Sequence, residues 1–137
     1  MRIHENWNVR ELRPGDHIRV QHLFFYHHGL YVGDGNVIHF AGPDSATLTD
    51  ADKVTVRRDT IDHFAMGRNI EVCLYSPISR LQMRPLKKIL AYAESRLGSG
   101  KYDILANNCE HFVNECLFGK AFSNQIDSIR NSLPDLT

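Results

Sequence analysis

Two periods divide the chain. In its first half, apolar residues fall in short β-branched or alternating runs: HIRV at 17–20, HHGLYVGDGNVIHF at 27–40, KVTVRRD at 53–59 and IEVCLYS at 70–76. That pattern predicts four or five strands. The run at 27–40 is centred on Gly-Asp-Gly and is the strongest hairpin signal in the chain. Residues 1–15 are polar, a turn is expected at Arg13-Pro14-Gly15-Asp16, and 41–52 (AGPDSATLTDAD) reads as a loop. From residue 86 the period lengthens. Leu86, Ile89, Leu90, Ala93 and Leu97 share one helical stripe, with Pro85 in the first turn and Gly98 past the end. Cys109, Phe112, Val113 and Cys116 repeat the spacing, with Asn108 or Asn107 as cap and Gly119 as stop. A weaker repeat through Phe122, Ile126, Ile129 and Leu133, ended by Pro134, predicts a C-terminal helix over 120–137. Strands followed by helices give the α+β class, an antiparallel β-sheet packed against helices.

Composition narrows the function. A chain of 137 residues is expected to fold as a single domain (1–137, core about 12–119) and shows no repeat or linker. Sixteen Lys and Arg balance sixteen Asp and Glu, so no positive field gathers phosphates and nucleic acid is set aside as a partner. No stretch approaches the roughly 18 apolar residues of a membrane span, and the opening MRIHENWNVRELRPGD lacks the apolar middle of a signal peptide. A cytoplasmic protein without a transmembrane anchor is expected. Cys73, Cys109 and Cys116 are odd in number and unrelated in spacing, which suits reduced thiols better than disulfides or a four-ligand zinc site. No cofactor and no metal are implied.

Cys109 follows two asparagines and opens a helix, where free N–H groups and the helix dipole favour thiolate over thiol. A thiol nucleophile needs an imidazole within reach and a third group to orient it. Of eight histidines, His4 and His17 near the start and His63 in a loop-like segment read as solvated; His22 has no clear place. His111 lies about 200° round the helix from Cys109 and reads as structural. That leaves His27, His28 and His39. A two-residue loop, Asp34-Gly35, puts His27 and His39 on opposite faces of the hairpin. A three-residue loop, Gly33-Asp34-Gly35, sets Gly29 opposite His39 and makes His27 its diagonal neighbour, roughly 7–8 Å away. Gly35 suits the left-handed third position of such a loop. In that register His28 joins Leu30, Val32, Ile38 and Phe40 on an apolar face, and His27 is the preferred base.

Read together, these residues resemble the lecithin:retinol acyltransferase-like family, which includes the small phospholipase A/acyltransferases. The resemblance rests on Asn107-Asn108-Cys109-Glu110-His111-Phe112-Val113-Asn114-Glu115 and on HHGLYVGDGNVIHF at 27–40, and extends over roughly 12–119. It implies a circularly permuted papain-like fold in which histidine precedes cysteine, with Cys109 as nucleophile, His27 as base and His39 as the third, orienting residue. Position 28 is commonly aromatic in these relatives and is histidine here. Many relatives carry a hydrophobic anchor after the domain, whereas this chain continues as SNQIDSIRNSLPDLT. Phe24, Phe25 and Tyr26 suit the core better than a membrane wedge, although a peripheral enzyme can reach a bilayer lipid from solution.

The expected activity is a thiol acyl hydrolase or acyltransferase: Cys109 attacks an ester, thioester or amide carbonyl, His27 moves the proton, and the Cys109 backbone N–H faces the oxyanion. The expected partner is a small-molecule acyl donor, with lipid the substrate class that the resemblance favours. An amide or peptide-bond hydrolase is the alternative enzyme. A catalytically silent binding module on the same fold, or a metal site built from Cys109 and the hairpin histidines, are the readings from other classes.

Overall fold

Alternation along the strands sorts the apolar residues onto two faces, and both are covered. The computed structural model describes residues 5–22, 25–42, 53–101 and 108–120. Among them, strands β1 (Glu5–Asn8), β2 (His17–Gln21), β3 (Tyr26–Gly33), β4 (Asn36–Ala41), β5 (Thr55–Thr60) and β6 (Glu71–Tyr75) form one antiparallel sheet, ordered β1-β6-β2-β3-β4-β5. The helices are α1 (Ile61–Ala65), α2 (Pro77–Leu81), α3 (Leu86–Ser95) and α4 (Cys109–Phe118). The class is α+β, as the two periods imply.

One face carries Leu30, Ile38, Phe40, Val56, Cys73 and Tyr75 and packs against Ile89 and Ala93 of α3 and Phe112, Val113 and Cys116 of α4. The other carries Ile18, Val20, Val37 and Val72 and is covered by Phe64 and Ala65 of α1. Asn108 caps α4: its side chain accepts from the His111 N–H, while His111 Nδ1 accepts from the Asn108 N–H at 3.1 Å. Gly119, left-handed at φ 75°, ends the helix. His111 is therefore structural, as its angular position implies. α3 stops at Ser95, before Leu97. None of the described helices is long and apolar enough to cross a membrane. Asn107, His4, Phe24, most of the 41–52 loop and the expected C-terminal helix lie outside the described residues.

Three elements carry no periodic signal. β1 (ENWN) joins the sheet edge through backbone pairing with β6, from Glu5↔Tyr75 to Asn8↔Val72. The short helices α1 and α2 are defined by their caps, Thr60 accepting from the His63 N–H and Ser76 from the Ser79 N–H.

The hairpin corrects one expectation while keeping its consequence. The turn is the two-residue Asp34-Gly35, with φ 54° and 72° as a type I′ turn requires. A register shift between Tyr31 and Gly33 then adds one residue to β3: Gly33 pairs with Asn36, but Tyr31 with Val37 and Leu30 with Ile38. Turn plus bulge give the parity that a three-residue loop would have given, so His27, Gly29 and His39 share a face.

Beyond Leu30↔Ile38 the two strands part. β3 continues to Tyr26 paired only with β2, and β4 continues to Ala41 paired only with β5. Gly29 lies at the parting, where an added Cβ would meet Phe64 Cε2 and Val37 Cγ1, each at 2.7 Å. Phe64 can therefore lie over both imidazoles, 5.2 Å from His27 and 5.4 Å from His39 between centroids. Gly29→Ala is expected to displace Phe64 and to cost about 2 kcal/mol in urea unfolding; an unchanged midpoint and slope would show that Phe64 does not need this space.

Candidate active site

His27 and His39 are fully buried, and a hydrogen bond of 2.8 Å joins His27 Nε2 to His39 Nδ1 across the parted strands. His39 Nε2 lies 2.6 Å from Asp59 Oδ2, and His63 Nδ1 lies 3.0 Å from the other Asp59 oxygen. Four side chains thus form a line from α1 through β5 and β4 to β3. Asp59 was not singled out in the sequence. It sits opposite Val37 on β5, on the face of His39, but only the β4–β5 register reveals this. His63 is half-exposed, and its contact with Asp59 gives it a place in this line rather than a purely solvated one.

The line fixes where the protons are. Asp59 is held below its usual pKa, chiefly by its bond to His39, and as a carboxylate it can only accept. Burial lowers the His39 pKa more than Asp59 raises it, so His39 is neutral and donates Nε2–H to Asp59. Its Nδ1 is then an acceptor, so the proton between the rings belongs to His27 Nε2. His27 is driven well below the ordinary histidine pKa by burial and then by His39. Its Nδ1 therefore carries an unprotonated lone pair on a ring oriented by a neighbour whose tautomer is set by a carboxylate.

Cys109, the first residue of α4, is buried against β3 and β4 at the parting. Backbone amides alternate along a strand. The Tyr31 N–H donates to Asp16 beside β2, so the His28 N–H faces β4, which has turned away, and it meets the Cys109 sulfur instead. The structure brings His27 to His39, and sets the thiol on the backbone of the residue next to His27. The preference for thiolate is corrected: burial pushes the Cys109 pKa up to about 12, outweighing the N–H groups of His28, Glu110 and Cys109 itself.

A second histidine pair occupies the opposite face. His17 Nε2 is 2.6 Å from His28 Nδ1, and His17 Nδ1 is 2.6 Å from the Tyr75 hydroxyl. Trp7 stands edge-on to both rings. The expectation of a solvated His17 is wrong, because pairing with Leu30 directs it into the core beside His28. Burial holds the His28 pKa at about 3 and that of His17 well below its usual value. His28 faces the apolar side as the register requires. Cys73 and Cys116 are core residues.

Fold and site together define an α+β protein whose helix-start cysteine lies at a parting between strands that carry paired histidines. The chain belongs to the lecithin retinol acyltransferase family, whose sequence model matches residues 10–122. It is 33% identical over 135 residues to Phospholipase A and acyltransferase 3 of Homo sapiens, covering 88% of this chain and 80% of that one. To Phospholipase A and acyltransferase 4 of Homo sapiens it is 31% identical over 134 residues, covering 88% and 79%. Similarity to Lecithin retinol acyltransferase of Rattus norvegicus is 27% over 147 residues, covering 93% of this chain but only 63% of the relative.

Two outcomes follow from the burial of these groups. Alkylation of Cys109 by iodoacetamide, read by peptide mass, should rise steadily above pH 8 without a step near pH 6, since burial holds the thiol protonated; such a step would refute that. In urea unfolding, stability should fall as pH drops below 6.5, because the unfolded chain takes up protons that buried His17, His27 and His28 refuse. Each adds roughly 1 to 1.5 kcal/mol per pH unit at most, and for His28 the window runs down to about 3. His28→Phe should flatten that slope by about one proton, and an unaltered slope would contradict a neutral His28.

Proposed function

We propose that the protein is a cysteine-dependent acyl hydrolase or acyltransferase acting on lipid esters through a thioester acyl-enzyme. The observation that carries this reading is the Asp59–His39–His27 line, which leaves His27 Nδ1 unprotonated on the residue next to His28, whose backbone N–H meets the Cys109 sulfur. The names of the relatives, phospholipases A and acyltransferases, support a lipid ester as acyl donor.

In the first half-reaction His27 Nδ1 removes the thiol proton as Cys109 Sγ adds to the ester carbonyl carbon. General-base transfer is required because the buried thiol does not ionise beforehand. The carbonyl oxygen takes up the charge opposite the Cys109 backbone N–H at the start of α4. Collapse breaks the ester C–O bond, the leaving alkoxide takes the proton from His27, and the acyl group remains on sulfur. Water, or an acceptor hydroxyl or amine, then adds to the thioester; His27 takes its proton and returns it to the departing Sγ. Hydrolysis and transfer differ only in that second nucleophile. During each step the imidazolium at His27 is stabilised by His39, whose orientation Asp59 holds.

Incubation with a short-chain phospholipid or thioester should add one acyl mass to the wild-type chain and none to Cys109→Ala, with His27→Ala strongly slowed; acylation elsewhere, or retained in Cys109→Ala, would remove the nucleophile. Asp59→Asn offers an amide N–H to His39 Nε2 and so allows the reversed tautomer, which places the His27 proton on Nδ1. A loss in kcat on the order of a hundredfold or more, with little change in KM, is expected. Near-normal kcat in this variant would show that His39 alone orients the base.

A further inference from the structure

A cavity of about 710 Å³ opens beside the paired imidazoles, with Gln21, His22, Tyr26, Arg68, Asn69 and Glu71 in its lining. It adjoins the site directly: the His22 ring stands edge-on to His27, 5.6 Å between centroids, and Tyr26 is the next residue along β3. Its charges are unevenly matched. Glu71 is engaged by Arg19, Nε to Oε1 3.0 Å, and that guanidinium is held between the rings of Trp7 and Tyr26 at 4.0 and 3.7 Å. Arg68 has no carboxylate partner among the described residues. The cavity therefore carries an excess positive charge. His22, also in the lining, is a second incomplete group: its Nε2 is buried with no hydrogen-bond partner among the described residues.

A guanidinium fork, an imidazole nitrogen and the amides of Gln21 and Asn69 around one space match an oxyanion with several acceptor oxygens. The volume exceeds what one such anion fills, leaving room for a substituent beyond it. The anion would lie one ring away from His27, and a glycerophospholipid places its phosphate only a few bonds from its ester carbonyls. We propose that this cavity holds the phosphodiester of the acyl donor's head group, with Arg68 and His22 as its principal ligands. The proposal rests on the acyl-transfer reading and names the part of the donor that this side of the site recognises. Burial and Arg68 together keep His22 neutral in the free protein. A bound anion offsets the Arg68 charge and gives His22 Nε2–H an acceptor, so the occupancy of the cavity is readable at that ring.

The test follows the imidazole nitrogens of the full-length ¹⁵N-labelled protein by NMR during titration with glycerophosphocholine, inorganic phosphate or choline. Glycerophosphocholine should move the His22 resonances saturably and raise the His22 pKa, choline should do neither, and the response should vanish in Arg68→Ala and survive in part in Arg68→Lys. A response to inorganic phosphate alone assigns the cavity to a free anion and overturns the head-group assignment. No response to either anion, or an equal response in Arg68→Ala, overturns the site. In turnover, Arg68→Ala should raise KM for a phospholipid on the order of tenfold relative to a phosphate-free thioester; equal changes for both donors count against the subsite. If glycerophosphocholine binds but no donor acylates wild-type Cys109, the acyl-transfer reading fails while the binding result stands.

Discussion

An ionised carboxylate has no proton to give, and the rest of the site depends on that constraint at Asp59. With Oδ2 2.6 Å from His39 Nε2, the carboxylate decides the tautomer of one ring, and that ring decides the tautomer of the next. The proton order of His27 on β3 is thus set from β5, two strands away. Three adjacent strands are needed to carry it, which is why the order β3-β4-β5 matters more to the chemistry than the sheet edge at β1. Phe64 closes the line from above and excludes the water that would otherwise compete for these nitrogens.

The same exclusion of water sets the resting state of the thiol. Burial disfavours charge on both groups, lifting the pKa of Cys109 and lowering that of His27, so thiol and imidazole are each held neutral. On the opposite face, His17 and His28 follow the same rule: each buried ring satisfies a nitrogen through its neighbour, with Tyr75 ending the series.

Strands β2 to β6 and helices α3 and α4 were legible because each is long enough to show its period, and the Asn108 cap and Gly119 stop have residue-level signatures. β1, α1 and α2 were not, since four or five residues define no period and their formation depends on an edge partner or a single cap. The shared face of His27 and His39 was legible as a parity, but its cause was not: a two-residue turn with a bulge and a three-residue loop produce the same alternation. Asp59 was hidden because the long connection between β4 and β5 leaves their register open. His17 was misjudged from its polar neighbours, since its burial comes from pairing with Leu30, a contact that local sequence does not encode. The start of α4 correctly located the thiol, whereas its protonation depended on tertiary burial that no helix dipole reveals.

The bulge in β3 also governs how this hairpin can change length. Removing one residue from Tyr31–Gly33 would turn His27 through half a rotation of the strand, away from His39. The rest of β3 would turn with it, taking Leu30 off the α3–α4 face and Gly29 from beneath Phe64. Viable insertions and deletions between the two histidines must therefore come in pairs, and the Asp34-Gly35 corner, which touches neither ring, acts as the phase reference for both.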